Sequence, residues 1–561
     1  MARRRSRYGV PGSRAGSVLL VGGKSRQRRG LGRRRGQIGA PRRWGPVLLG
    51  AVLLAMVALG VVVWRSSLAE GDGGRRAAAE RFVSAWVRGD RGAMWHALTP
   101  RAKARYPEAR FVTAYRASDR TAGVRAVIPG RLGGEHDGRI AFDVRVRTAD
   151  FGTLHGTILL PVSGSGSTAG VDWDRSLRLP GLRRGERVHR RVGVPPPRAP
   201  ILAADGTRLD ATALGASIAG QAEPRPTGLE RIYNLKLAGH PAEQLLFGAR
   251  VIARATLIHG RPLRTTIRPR LMSAAAAALG QQLGGVAVIR PRDGAVQALA
   301  GLAVSAPQPP GSTFKIITTA AALQAGIATP SSTYPIRTAA TLSGVQLRNA
   351  SGEACGGSLT EAFTVSCNSV FAPLGAKLGA RRLVAMARAF GWGEQPRIPA
   401  AKPSTISPPS QLRDNLAVGA AAIGQDRDLA TPLQMASVGA TIALEGRRVE
   451  PRIATIDPVR ARRIISPTVA RQVRAMMVSV VRSGTGTAAA IPGIEVAGKT
   501  GTAELRPNST NPKDADAWFV AFAPAQRPQA AVAVMLVGAG FGGTTAAPIA
   551  RQVLQAALTG R

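Results

Sequence analysis

The chain has 561 residues, more than one ordinary domain holds, and a formal net charge of +45. Every His lies at or before position 259, so a Ser-His-Asp triad cannot be assembled in the C-terminal half. Cys355 and Cys367 are the only cysteines, which leaves that half short of the four Cys or His ligands of a structural zinc site.

Residues 1–43 carry fourteen Arg or Lys and no acid. Residues 44–64 follow without a single charge, with Trp44 and Trp64 at the two ends. That run is long enough to cross a hydrocarbon core as a helix, and Trp suits both interfaces. The positive charge before it predicts a single-pass membrane protein with a cytoplasmic N-terminus and an extracytoplasmic remainder. A cleaved signal peptide is the other reading, with Ser67-Leu68-Ala69 as its cleavage site. The apolar run and the basic tail are both too long for one. Elsewhere the Arg excess reads as a solvated surface or as attraction to anionic lipid or wall polymers.

Residues 66–74 read as a linker. From Arg75 apolar residues recur at helical spacing, and a second short helix is expected over 94–104. Alternating runs from Ile140 and from Leu154 read as strands. Together they predict a small α+β domain over 75–182, in which His96 and His155 are ordinary packed or surface residues. Val194-Pro195-Pro196-Pro197 is a stiff break, and 183–265 reads as an irregular connective region. The last block, 266–561, predicts a helix over 274–279 and a hairpin of 286–289 with 295–300 around Pro291–Asp293 and Gly294. A helix should start at Pro310-Gly311 and run to about Gln324. Strands over 517–523 and 531–537 and a closing helix over 548–558 complete an antiparallel sheet flanked by helices. The whole is a multidomain α+β chain.

Three short motifs in this block carry chemistry. Ser312 and Lys315 lie three residues apart just after Pro-Gly, on one face of a helix start. A neutral Lys amine there can take the seryl proton, and burial beside a second cation lowers a lysine pKa enough for that. Ser366-Cys367-Asn368 follows: Ser366 can pass a proton to a leaving amine, and Asn368 can hydrogen-bond Lys315 and a substrate amide. Lys499-Thr500-Gly501-Thr502 lies on a predicted strand over 494–503. Thr500 and Thr502 can grip a carboxylate, Lys499 can hold the local potential positive, and Gly501 leaves room for a peptide along the strand edge. The amides of Ser312 and Thr502 would form an oxyanion hole. Lys makes up only 8 of the 77 basic residues, and two of these fall where Arg could not exchange protons.

The stretch Gly493 to Thr500 also fits the phosphate-loop pattern. That motif needs a strand before it and a helix after it. Here Pro492 precedes it, Gly501 follows it, and the segment alternates like a strand, so nucleotide binding is set aside.

In this order the motifs are those of penicillin-binding proteins and serine β-lactamases. Residues 75 to 561 resemble a class B penicillin-binding protein of actinobacterial type. The resemblance extends to Pro309-Pro310-Gly311, Thr431 to Ala436, Ser483 to Thr487 and Ala517 to Pro524. Val171 to Asp174 with Pro180-Gly181-Leu182 is similar to the end of a nuclear-transport-factor-like domain. The resemblance implies a peptidoglycan D,D-transpeptidase: Ser312 attacks the D-Ala-D-Ala bond of a stem peptide and passes the acyl group to an amine, while β-lactams acylate the same serine. It implies no cofactor, metal or nucleic acid. Its partners would be stem peptides, β-lactams, the cell membrane and a glycan-polymerising cell-wall enzyme.

The sequence departs from that family at Arg198, whose neighbour is Ala199 rather than Gly, at Asp426 in place of Gly, at Asp516 in place of His, and in a short stretch between Leu299 and Pro309. A β-lactamase shares the motifs but usually lacks a retained anchor and a large front domain. A D,D-carboxypeptidase differs only in giving the acyl group to water. A non-catalytic β-lactam sensor needs a signalling module, for which 43 cytoplasmic residues are too few. Cys355 and Cys367 are either two separate buried thiols or a disulfide beside Ser366, which would contribute roughly 3 kcal/mol by restricting the unfolded chain.

Overall fold

The computed structural model describes residues 73–425, 427–506 and 511–559. The basic tail, the 44–64 span and Asp426 lie outside the described residues. No helix among those described is long and apolar enough to cross a membrane.

The front of the described chain is helical, then a sheet. α1 (Gly73–Arg88) and α2 (Glu108–Ala122) precede β1 (Val124–His136), β2 (Arg139–Thr148), β3 (Thr153–Ser163) and β4 (Gly170–Val171), which pair antiparallel in that order. Along β2 the residues Ile140, Phe142, Val144 and Val146 alternate inward, as a half-buried strand requires. They close over Phe82, Trp86, Phe111 and Tyr115, whose burial contributes about 1.5–3 kcal/mol for each such side chain. The helix expected over 94–104 is two, Arg91–His96 and Pro100–Arg105. Pro100 has no N–H with which to continue the first, and the Thr99 hydroxyl caps the second by accepting from the Ala102 amide. His96 and His155 are exposed.

The stretch 183–265 is more regular than its composition indicates. A three-stranded sheet joins Val188–Val192, Glu243–Phe247 and Arg250–Ala255, and Ile201–Leu202 runs parallel to Leu263–Arg264. Short helices Ala213–Ala219, Gly228–Ile232 and Asn234–Ala238 lie between them. Arg198 holds two of these together, through Glu230 and through Asn234 Oδ1 at 2.9 Å.

The C-terminal block holds α3 (Pro269–Leu279), β5 (Gly284–Arg290), β6 (Ala295–Gly301), α4 (Lys315–Gln324), α5 (Leu359–Thr364) and α6 (Asn368–Leu378). After them come α7 (Pro432–Ala443), α8 (Pro467–Ser483), β7 (Ala497–Glu504), β8 (Ala515–Ala523), β9 (Ala530–Leu536) and α9 (Ala546–Thr559). The five strands form one antiparallel sheet in the order β6-β5-β9-β8-β7. β8 and β9 are buried at nearly every residue, so both faces of the sheet are covered. α7 presses on it where Gly439 meets Val520 and Ala531, and α3 and α9 pack on each other and on the strands. Thr431 and Ser466 cap α7 and α8, each followed by a Pro in the first turn. This topology leaves β7 as an outer strand, which is where the third motif lies.

Candidate active site

Ser312 stands in a single 3₁₀ turn, Gly311–Phe314, that feeds into α4; the sequence predicts an α-helix from Pro310. Gly311 has φ +51°, donates its N–H to Gly424 O at 2.9 Å, and has no room for a side chain: a Cβ would lie 2.5 Å from Thr502 O. The turn is therefore pressed against β7. In an extended strand a residue's N–H and C=O point to the same side, so the Thr502 amide faces this turn as its carbonyl does. The turn that carries Ser312 and the Thr502 backbone thus lie side by side.

Lys315 opens α4 and is fully buried. Its Nζ donates to Ser366 O at 2.8 Å and to Asn368 Oδ1 at 2.7 Å, with Ser366 Oγ at 3.4 Å. Burial pulls its pKa well below the usual lysine range, and the neighbouring Lys499 lowers it further. A neutral amine has two N–H groups. Both are spent on the two carbonyl oxygens, which leaves the lone pair to accept a hydroxyl proton.

Ser366 follows α5, whose start is fixed by a reciprocal cap between Ser358 and Glu361. Its backbone is left-handed, φ +66°, an unfavourable state for a residue with a side chain. Neighbours on both sides hold it there. The next residue, Cys367, is bonded to Cys355, so the pair is a disulfide and not two thiols. Beyond it the Ser369 amide donates to Asn349 Oδ1 at 2.7 Å, and Asn368 Nδ2 donates to Arg348 O at 2.8 Å. Such local strain persists only where the surroundings over-determine it, and it concentrates at functional sites.

Lys499, on β7, is also fully buried and donates to Ser366 Oγ at 2.8 Å and to Thr500 O at 3.1 Å. Ser366 Oγ is thus the meeting point of the two lysines. Burial draws the Lys499 ammonium down to about 7, so its positive charge is costlier to hold than that of an exposed lysine.

Gly501 has a steric reason of its own to be small. A Cβ at this position would lie 2.8 Å from Pro310 O, 2.9 Å from Thr313 Cγ2 and 2.9 Å from Trp518 Cβ. The nucleophile's own turn occupies that space. Gly498, Lys499 and Thr500 all lie within β7, which runs on to Glu504 where the phosphate-loop pattern calls for a helix, so that pattern has no phosphate-loop structure. Asp516 is buried beside this strand, where Gly538 N donates to its Oδ1 at 2.9 Å and burial raises its pKa.

The structure thus draws together Ser312, Lys315, Ser366, Asn368, Lys499, Thr500 and Thr502 from three separate segments. It adds Thr485, whose Oγ1 lies 2.6 Å from Thr500 Oγ1. The run Ser483 to Thr487 is conspicuous in the sequence for its alternating Gly, but nothing in it marks one Thr as reaching the site.

A profile of the penicillin-binding protein transpeptidase domain matches residues 284–555. The peptidoglycan D,D-transpeptidase PbpA of Mycolicibacterium smegmatis is 37% identical over 403 residues, spanning 59% of this chain and 79% of that protein. The chain belongs to the class B penicillin-binding proteins. Its M. tuberculosis relative PbpA is 40% identical over 298 residues, 48% of this chain and 58% of that one. Penicillin-binding protein A of M. tuberculosis, solved as a penicillin G acyl-enzyme complex, superposes with a TM-score of 0.55 at 31% identity, covering 65% of this chain and 100% of that one. The D,D-transpeptidase domain of an Eggerthella lenta peptidoglycan glycosyltransferase gives 0.58 at 28% identity, over 65% and 99%.

Proposed function

We propose that this chain is a peptidoglycan D,D-transpeptidase that works through a seryl acyl-enzyme at Ser312 and is acylated there by β-lactams. The observation that carries the chemistry is the buried Lys315 amine, whose two N–H groups are bonded to Ser366 O and Asn368 Oδ1. Its lone pair takes the Ser312 proton as Oγ attacks the penultimate D-Ala carbonyl, and the oxyanion rests on the Ser312 and Thr502 amides. The C–N bond then breaks, and the proton passes by way of Ser366 to the departing D-Ala amine. In the second half an amine from a neighbouring strand attacks the ester, its proton returns to Ser312, and the cross-link is released. Thr500 and Thr502 receive the terminal carboxylate. Names and structures of the relatives support the reading.

The test is incubation with labelled penicillin and, separately, with a D-Ala-D-Ala peptide plus an amine acceptor. Stable labelling and an amide product support the transpeptidase. Rapid penicillin turnover would make the chain a β-lactamase, and release of D-Ala with hydrolysis only would make it a carboxypeptidase.

The same reading places the enzyme on the outer face of a membrane, anchored by residues 44–64 with the basic tail inside, and beside a glycan-polymerising enzyme. The charge asymmetry about that run supports the orientation. Protease added to intact spheroplasts should digest the Lys499 region; its survival would reverse the topology.

A further inference from the structure

Thr485 lies just beyond α8, and its position is fixed from three sides. Its amide donates to Thr364 O at 3.3 Å, two residues before Ser366. The preceding Gly484 sits so close to Thr364 that a Cβ would be 2.3 Å from that same oxygen. On the far side a Cβ at Gly543 would be 2.3 Å from Thr485 O. The side chain itself is exposed, yet its hydroxyl is 2.6 Å from that of the buried Thr500. A hydroxyl has one proton and two acceptor lone pairs. Lys499 Nζ, 3.5 Å from Thr500 Oγ1, donates to it when it carries its proton. If Thr485 also donates, both acceptor sites of Thr500 are filled and its own proton must point away from them. The remaining direction is outward, toward a ligand.

We infer that Thr485 is a positioning residue for carboxylate recognition: it donates to Thr500 Oγ1 and thereby turns the Thr500 proton toward the carboxylate of a stem peptide or β-lactam. This rests on the transpeptidase reading, in which Thr500 meets that carboxylate. The consequence is selective. Losing the Thr485 hydroxyl weakens recognition of the carboxylate but leaves the acylating machinery of Ser312 and Lys315 alone.

The experiment compares benzylpenicillin with its methyl ester on the full chain. Thr485→Val keeps the shape and removes the hydroxyl. It should lower the second-order acylation rate with the acid about tenfold, a loss expected from one hydrogen bond that supports a charged contact. The loss should lie in the non-covalent dissociation constant, not in the acylation step. The ester should react equally with both proteins, and Thr485→Ser should restore the acid rate. Equal losses for acid and ester, or failure of Ser to rescue, would make Thr485 merely structural and overturn the inference, while transpeptidation would stand. If the unaltered chain took no penicillin at all, the transpeptidase reading itself would fall, and this inference with it.

Discussion

Ser312→Ala should abolish labelling by a fluorescent penicillin while leaving the protein folded. The hydroxyl is the group that forms the acyl bond, and no other serine in the site is placed to substitute. Ser366 is the nearest rival, but its Oγ already accepts from Lys499 and its main-chain carbonyl is bonded to Lys315. Nucleophile loss typically removes the covalent step altogether rather than slowing it by a fixed factor. Peptide mapping of the labelled wild-type protein should return one adduct, on the peptide that contains Ser312. An adduct on Ser366, or label that survives Ser312→Ala, would move the nucleophile elsewhere.

Lys315→Arg should reduce penicillin acylation by about a hundredfold or more, the size of effect expected from losing a general base. A guanidinium cannot surrender a proton at any working pH. It would also bring a permanent charge into a fully buried position. Lys499→Arg should slow acylation less, and Lys499→Ala more than Lys499→Arg. The pH profile separates the two lysines further. Lys315 must be neutral to accept the seryl proton, so the rate should fall toward acid as its amine takes up a proton. Because burial and Lys499 hold its pKa well below that of a free lysine, this limb lies well below where a free lysine would place it. Lys499 is cationic below about 7 and loses that charge above it, so attraction for the penicillin carboxylate should weaken on the alkaline side. Arg at 499 keeps its charge and should erase the alkaline limb alone. Equal rates for Lys315→Arg and Lys499→Arg would end the proton-shuttle role of Lys315.

The parts of the site legible in the sequence were those in which residue type decides the chemistry. Ser312, Lys315, Ser366, Asn368 and Lys499 stand out because an acyl transfer without His needs a basic amine and a proton relay. The hairpin of β5 and β6 was legible because two apolar runs bracket Pro291 and Gly294. What lay hidden depends on three-dimensional neighbours. β1 was obscured by Pro129, Gly130, Gly133 and Gly134, and its pairing with β2 carries register shifts. α2 has Pro107 before it and no side-chain cap, so its start carries no signal. The setting of Thr485 and the approach of Lys499 to Ser366 come from packing between distant segments: the Thr485 amide meets Thr364 O, and Lys499 meets Ser366 Oγ across 133 residues. The lowered pKa of Lys499 was hidden because a spacing pattern does not report burial.

Gly501 bears on how such an enzyme can change under drug selection. A side chain there would collide with Pro310 O and Thr313 Cγ2, that is, with the turn that carries Ser312. Natural substrate and inhibitor both depend on that turn, so a substitution at 501 penalises the two alike. Escape from a β-lactam that preserves wall synthesis is therefore closed off at this position. It has to arise at side chains that project from the rim, where the shapes of drug and peptide diverge.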